Sequence, residues 1–337
     1  MCMRLSNHSL PLIIIFLSQI LFYSCSPQKE ATQEIKIVKA QHFEEVTIDF
    51  PESFEILKEV TEIQDTPLSR LLPGVFTHDS MVFYDTSLNV IMKFDYDGNL
   101  LKQKELHRGN GPGEINGLVQ SVRSCHNEGY LITCFSRIIL LDSEFNHKDT
   151  YAINFKTKDA FDIGDGEIVV CGYNPENQML FHIYSYQGIY KKSLGKPFFE
   201  NKQAEMYSMY CKPYFFVDSH LFASSIFNYK IGAYTTGGDC DYILDGNMDI
   251  QNWFLNSSIS THILSIFSEN EKLYLTIIDY KKEELYLDIW NLNNLELDKR
   301  ILFKNDTGYP VYKDKDTYIF FTGAGFFIAK EKKNTFL

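Results

Sequence analysis

The sequence predicts an all-β fold: a six-bladed β-propeller of four-stranded antiparallel blades, with an N-terminal strand completing the last blade. Three observations carry this expectation. Aromatic residues make up 15% of the 337-residue chain, with 27 Phe and 21 Tyr, a composition that favours strands. One four-stranded unit recurs five times. After the fifth copy the remaining C-terminal stretch has room for about three strands, while two β-rich segments lie unclaimed near the N-terminus.

Residues 1–25 read as a targeting segment. Arg4 precedes an apolar run from Leu10 to Phe22, which has the length of a signal-peptide core and is too short to span a bilayer. Leu21, Phe22, Tyr23 and Ser24 lead into Cys25, and polarity changes abruptly after it. The segment resembles the bacterial lipoprotein lipobox, whose cysteine is diacylated and becomes residue one. Tyr23 departs from the usual small residue. This implies a signal peptide over 1–24, a lipidated Cys25 with a flexible tether over 25–42, and one domain over 43–337. The chain carries a net charge of −12. Such a body is a poor partner for nucleic acid and for anionic phospholipid, so attachment to a membrane would rest on acyl chains.

The strand EEVTIDF (44–50) or FEILKEV (54–60) is available to complete the last blade. The five copies follow, over residues 74–106, 119–155, 158–195, 214–244 and 261–303. Aligning their last hairpins places Gly98, Asn146, Gly188, Gly237 and Asn293 in register, separated by 48, 42, 49 and 56 residues, near the repeat length of a propeller blade. Two-residue hairpin loops need positive φ, which Gly and Asn reach at least cost. Within strands, Val90, Met92 and Phe94 share a face, whereas EIVV and LYLTII are apolar on both faces, as where sheet stacks on sheet. Closing the ring leaves no exposed sheet edge to seed aggregation.

His107-Arg108-Gly109-Asn110-Gly111-Pro112-Gly113-Glu114 joins the first two copies. With the lipobox and the Tyr96-Asp97-Gly98 hairpin, this segment resembles the G-x-G-P-G-E linker of six-bladed β-propeller lipoproteins of Bacteroides-type bacteria, a family similar in architecture to NHL-repeat and TolB-like propellers. Ile115 stands where members usually carry an aromatic residue. The resemblance implies fold and an envelope location, at the outer membrane, and no defined activity.

The linker is neither a Walker loop nor a dinucleotide fingerprint. It reads first as a tight crossover in which Glu114 caps amides or pairs with Arg108. A second reading has His107, Arg108 and Glu114 lining a ligand pocket. Asp95-Tyr96-Asp97-Gly98-Asn99 has carboxylates at alternate positions but reads as a turn. Asp218-Ser219-His220 also reads as a turn, because neighbours on a strand point to opposite faces. Cys125, Cys134, Cys171, Cys211 and Cys240 read as free, mostly buried thiols. A hairpin pairing 127 with 130 would set Cys125 opposite Ile132.

No catalytic constellation is expected. The chain reads as a lipid-anchored envelope module that binds a glycan, peptide or protein, with loop aromatics Tyr207, Tyr210, Tyr214, Phe215, Trp253 and Phe254 offering stacking surface. The alternative is a metal-dependent hydrolase or lyase, in which His78, Asp79, Asp218, His220 and His262 hold an axial calcium or zinc ion. No other cofactor is expected.

Overall fold

A computed structural model describes residues 35–125, 129–198, 214–217, 219–224, 229–248, 263–279, 282–304, 308–322 and 325–332. The compact unit begins at Lys36. Its first elements are β1 (Lys36–Lys39), β2 (Glu44–Asp49), the short helix α1 (Phe50–Ser53), β3 (Phe54–Val60), and the small hairpin β4 (Glu62–Ile63) with β5 (Thr66–Pro67).

Six blades follow. Blade 1 is β6 (Leu71–Phe76), β7 (Met81–Asp85), β8 (Val90–Phe94) and β9 (Leu100–Glu105). Blade 2 is β10 (Val119–Cys125), β11 (Gly129–Cys134), β12 (Arg137–Leu141) and β13 (His147–Ala152). Blade 3 is β14 (Asp159–Gly164), β15 (Glu167–Asn174), β16 (Met179–Ser185) and β17 (Tyr190–Leu194). Blade 4 is β18 (Tyr214–Val217), β19 (His220–Ser224), β20 (Lys230–Thr235) and β21 (Cys240–Asp245). Blade 5 is β22 (Ile263–Glu269), β23 (Lys272–Asp279), β24 (Glu284–Asn291) and β25 (Glu296–Lys304). Blade 6 takes β26 (Tyr309–Asp314), β27 (Thr317–Thr322) and β28 (Gly325–Glu331) from the C-terminal end.

The missing strand of blade 6 is β3, which pairs antiparallel with β28 from Phe326↔Val60 to Glu331↔Phe54. Of the two expected closing segments, 54–60 is therefore the one used. The other, β2, lies parallel to β25 as a fifth strand on blade 5. β1 does the same on blade 4, from Lys36↔Tyr242 to Lys39↔Asp245. These four residues fall within the segment that the sequence assigns to a flexible tether, where only the adjacent β-branched pair Ile37 and Val38 between lysines favours a strand.

The core consists of six clusters, one between each pair of neighbouring blades. Side chains on opposite faces of one strand enter different clusters, following the two-residue period. On β15, Ile168 and Val170 pack toward blade 2, while Val169, Cys171 and Tyr173 pack toward blade 4. On β27, Tyr318 and Phe320 face blade 5, and Ile319 and Phe321 face blade 1. This is why the middle strands are apolar on both faces. The ring closes through Phe83, whose ring lies 5.1 Å from Phe321 and 4.7 Å from Phe326.

The hairpins between the third and fourth strands correct the expected two-residue loops. Asp95 N–H donates to the Asn99 carbonyl, and Gly98 N–H donates to that of Asp95. Asp142 with Phe145 and Asn146, Ser185 with Gly188 and Ile189, and Thr235 with Gly238 and Asp239 repeat the pattern. Three residues thus make the turn, and the ladder bulges beside it. Positive φ falls at Gly98, Phe145, Gly188, Gly238 and Leu295 rather than at Asn146, Gly237 and Asn293. Phe145 holds this conformation because its ring is fully buried between blades 1 and 2, 5.2 Å from Tyr130. The Asp95 carboxylate is occupied by the amides of Asp97 and Asn99, as a turn cap requires.

One buried polar cluster ties blade 5 to blade 4, and a second buried polar group ties strands within blade 3. Arg300 donates from Nε and Nη2 to the Asp288 carboxylate at 2.8 and 2.7 Å, and from Nη2 to the Gly246 carbonyl at 2.9 Å. Its guanidinium also lies over the rings of Phe43 and Tyr229, while Trp290 donates to the Tyr229 hydroxyl. In blade 3, His182 is wholly buried, its Nε2 donating to the Gly172 carbonyl at 3.0 Å and its Nδ1 2.7 Å from Ser193 Oγ.

Arg300→Met leaves the Asp288 charge buried without its cation, with only the Tyr229 hydroxyl beside it. It is expected to lower unfolding stability by about 3–5 kcal/mol, and Asp288→Leu/Arg300→Met by less; equilibrium denaturation of the two variants checks this. Burial also pushes the His182 pKa down to about 4. Protonation therefore favours the unfolded chain, and stability falls as pH drops from about 6.5 toward 4. The loss between pH 7 and 4.5 is expected to be about 2–3 kcal/mol smaller in His182→Gln than in the wild type, measured by urea unfolding at both pH values.

Candidate functional site

The linker 107–114 lies between β9 and β10 and is folded on itself. Gly109 N–H donates to the Ile115 carbonyl, and Ile115 N–H to that of His107. The Glu114 carboxylate accepts the Gly111 amide at 2.6 Å. A Cβ at Gly109 would meet a carboxylate oxygen of Glu114 at 2.1 Å, so a side chain there would push the Glu114 carboxylate out of its capping position. Arg137 of blade 2 donates to the carbonyls of Gly111, Glu114 and Asn110 at 3.0, 3.0 and 3.2 Å, and Gly113 N–H donates to Thr150 Oγ1. The linker therefore fastens blade 1 to blade 2.

His107, Arg108 and Glu114 turn to three different partners. His107 is exposed, 3.8 Å from Glu105. Arg108 donates from Nε and Nη2 to Asn89 Oδ1, not to Glu114. Glu114 caps the loop as described.

The candidate axial ligands separate as well. His78 and Asp79 occupy the turn between β6 and β7, where the hydroxyls of Thr77 and Ser80 donate to Asp79 and hold its carboxyl below the ordinary range. His220 lies 3.3 Å from Asp241 and lines a groove between blades 4 and 5 rather than the axis. Among the described residues, no three His, Cys, Asp or Glu side chains converge as metal ligands do. Asp218 and His262 lie outside the described residues, as do Cys25, Cys211, Tyr207, Tyr210, Trp253 and Phe254. Tyr214 and Phe215, expected among loop aromatics, belong to β18.

Among the described cysteines, Cys125, Cys134 and Cys171 are buried, Cys240 is partly buried, and all four are free. Burial pushes the thiols of Cys125 and Cys134 up to about 12, which keeps them protonated and unreactive. Cys125 lies opposite Gly129 rather than Ile132, which pairs with Val122.

The main concavity is axial. A cavity of about 830 Å³ is lined by the innermost strand of every blade: β6, β10, β14, β18, β22 and β26. Each of these strands is the edge of its sheet, so each turns unpaired backbone donors and acceptors toward the axis. The charged side chains lie on one side of the wall, where Phe161 and Ile163 also line it, and most of the aromatic ones lie on the other, with Ser265 and Ser268 among them. Blades 2 and 3 contribute Gln120, Ser121, Arg123, Asp159 and Asp162. Blades 4, 5, 6 and 1 contribute Phe215, Phe216, Phe267, Tyr309, Tyr312 and Phe76. Phe76 and Tyr312 stack with ring centroids 4.4 Å apart and planes within 4°.

The charged groups of the polar wall are already engaged, one pair with each other and the third by neutral donors. Arg123 donates from Nε and Nη2 to the Asp159 carboxylate at 3.0 and 2.6 Å, and its guanidinium lies 4.9 Å from the Phe161 ring centroid. Asp162 accepts the Tyr186 hydroxyl at 2.5 Å and the Gly164 amide at 2.8 Å. Sequence reasoning missed this wall because its members sit on strands distant in sequence. A signal was present: Arg123 and Asp159 are charges inside first strands that are otherwise mostly apolar or small.

Arg137→Ala removes three charge-assisted hydrogen bonds from the linker. It is expected to lower stability by about 2 kcal/mol and to speed amide exchange at residues 109–114 relative to blade 5, measured by hydrogen–deuterium exchange.

No family model matches the chain, and no curated protein matches it. Solved structures do. A Bacteroides fragilis protein named as exported superposes with a TM-score of 0.61 at 12% identity, covering 88% of this chain and 99% of its own. Streptogramin B lyase gives 0.54 at 12% identity, covering 83% and 99%. A member of the DUF4221 family from Bacteroides vulgatus gives 0.51 at 12% identity, covering 83% and 97%. At such identity the likeness is one of fold, and the chain is a six-bladed β-propeller.

Proposed function

We propose that this protein is a lipid-anchored binding or scaffolding module of the cell envelope, held at the outer membrane by acyl chains on Cys25, and that it takes its ligand in the axial cavity. The cavity carries this reading. It falls within the roughly 300–1,000 Å³ of small-molecule sites and combines aromatic lining with a few placed polar groups. The polar jump at Cys25 and the export named for the Bacteroides fragilis neighbour support the location. Loop 107–114 is a structural fastener in this reading, with His107 and Arg108 exposed at its edge.

Two measurements test it. Cells fed labelled palmitate are expected to label the wild type and retain it in the membrane fraction, whereas Cys25→Ser is unlabelled and released; equal labelling of both would overturn the anchor. Envelope-derived glycans and peptides, screened by thermal shift, are expected to include a component that raises the midpoint of the wild type and raises that of Phe216→Ala less. A complete panel without any shift would overturn the binding role.

A further inference from the structure

We propose that the axial cavity takes a neutral oligosaccharide, its ring faces against the aromatic wall of blades 4, 5, 6 and 1 and its hydroxyls toward blades 2 and 3. This rests on the reading of the cavity as the binding site and names the ligand class.

The first argument is the division of the wall. A pyranose has apolar C–H faces and a rim of hydroxyls. Phe216 and Tyr309, both half-buried, supply rings on one side, and Gln120 and Ser121 supply uncharged hydrogen-bonding groups on the other. Ser121 Oγ is buried and has no hydrogen-bond partner, and an unmet buried hydroxyl favours a ligand able to satisfy it.

The second argument is charge. Arg123 is engaged by Asp159, and Asp162 by Tyr186 and Gly164. An anion would have to take Arg123 from Asp159 or enter without a counter-charge, and either leaves a costly charge in the site; Asp162, already holding two neutral donors, can accept further hydroxyls. The chain's net charge of −12 further opposes an anion.

The third is the backbone. Six strand edges present both donors and acceptors to one space. Hydroxyls donate and accept, so a polyhydroxylated ligand can address several edges at once. An extended peptide satisfies the edge that it lies on and leaves the other edges to water.

The test is calorimetric titration of the full mature chain with neutral tri- and tetrasaccharides of gluco, galacto, manno, xylo and N-acetylglucosamine type. Parallel arms use trigalacturonate, trilysine and a neutral aromatic tripeptide. At least one neutral saccharide is expected to bind, with Phe216→Ala about tenfold weaker and Gln120→Ala weaker than the wild type. Leu101→Ala, on the outer edge of blade 1 and 54% exposed, is expected to bind as the wild type does. Melting curves of each variant separate loss of binding from loss of fold. Binding of a charged or peptide probe with silence from every neutral saccharide would overturn the ligand class and leave the cavity as the site. Saccharide binding unchanged in both Phe216→Ala and Gln120→Ala would place the sugar elsewhere and overturn the proposal. Silence in every arm would overturn both this proposal and the binding role.

Discussion

Each blade of this ring must be apolar on both faces, because every sheet packs against two others. That constraint organises the rest of the molecule. It explains why residues in alternation on β15 and β27 enter different clusters, and why large aromatic side chains are so numerous: wedge-shaped spaces between radiating sheets are filled by rings. The buried ionic and imidazole groups at these interfaces are paired, as Arg300 is with Asp288 and His182 with Gly172 and Ser193.

The same arrangement creates the site. Radial sheets direct their inner edges toward the axis, so the backbone groups that sheet pairing satisfies elsewhere are open there. Outer edges are treated differently. The N-terminal strands β1 and β2 cover the outer edges of blades 4 and 5, and β3 completes blade 6. A segment of 25 residues thus fastens three consecutive blades before the first one begins, and Ala40, Ile48, Phe50 and Phe54 anchor it in the inter-blade clusters.

Turn chemistry shows where local sequence rules reach their limit. Gly98 and Gly188 stand at left-handed positions, as their residue type suggests. Phe145 and Leu295 stand at equivalent positions with no such preference. At Phe145, burial between blades outweighs a local cost of about 1 kcal/mol, so the residue type that packs well was retained over the one that turns easily. The linker 107–114 is the reverse case. Its glycines mark a forced turn in the sequence, yet only the fold shows that Arg137 and Thr150 of the next blade hold it.

The repeat, the number of blades, the use of an N-terminal strand to complete the last one and the two-faced middle strands were legible from residue order alone, because hydrophobic periodicity and hairpin spacing are local properties; which of the two segments, 44–50 or 54–60, completes the blade was decided only by the fold. The parallel pairing of β1 and β2 and the identity of the cavity wall were not legible either. Arg123 and Asp159 are separated by a whole blade in sequence and joined by two hydrogen bonds in space, whereas His78 stays in the exposed turn between β6 and β7 and His220 lies beside Asp241. Convergence about an axis depends on how six sheets are rotated against one another, and that rotation is set by side-chain packing between blades, which only the tertiary structure decides.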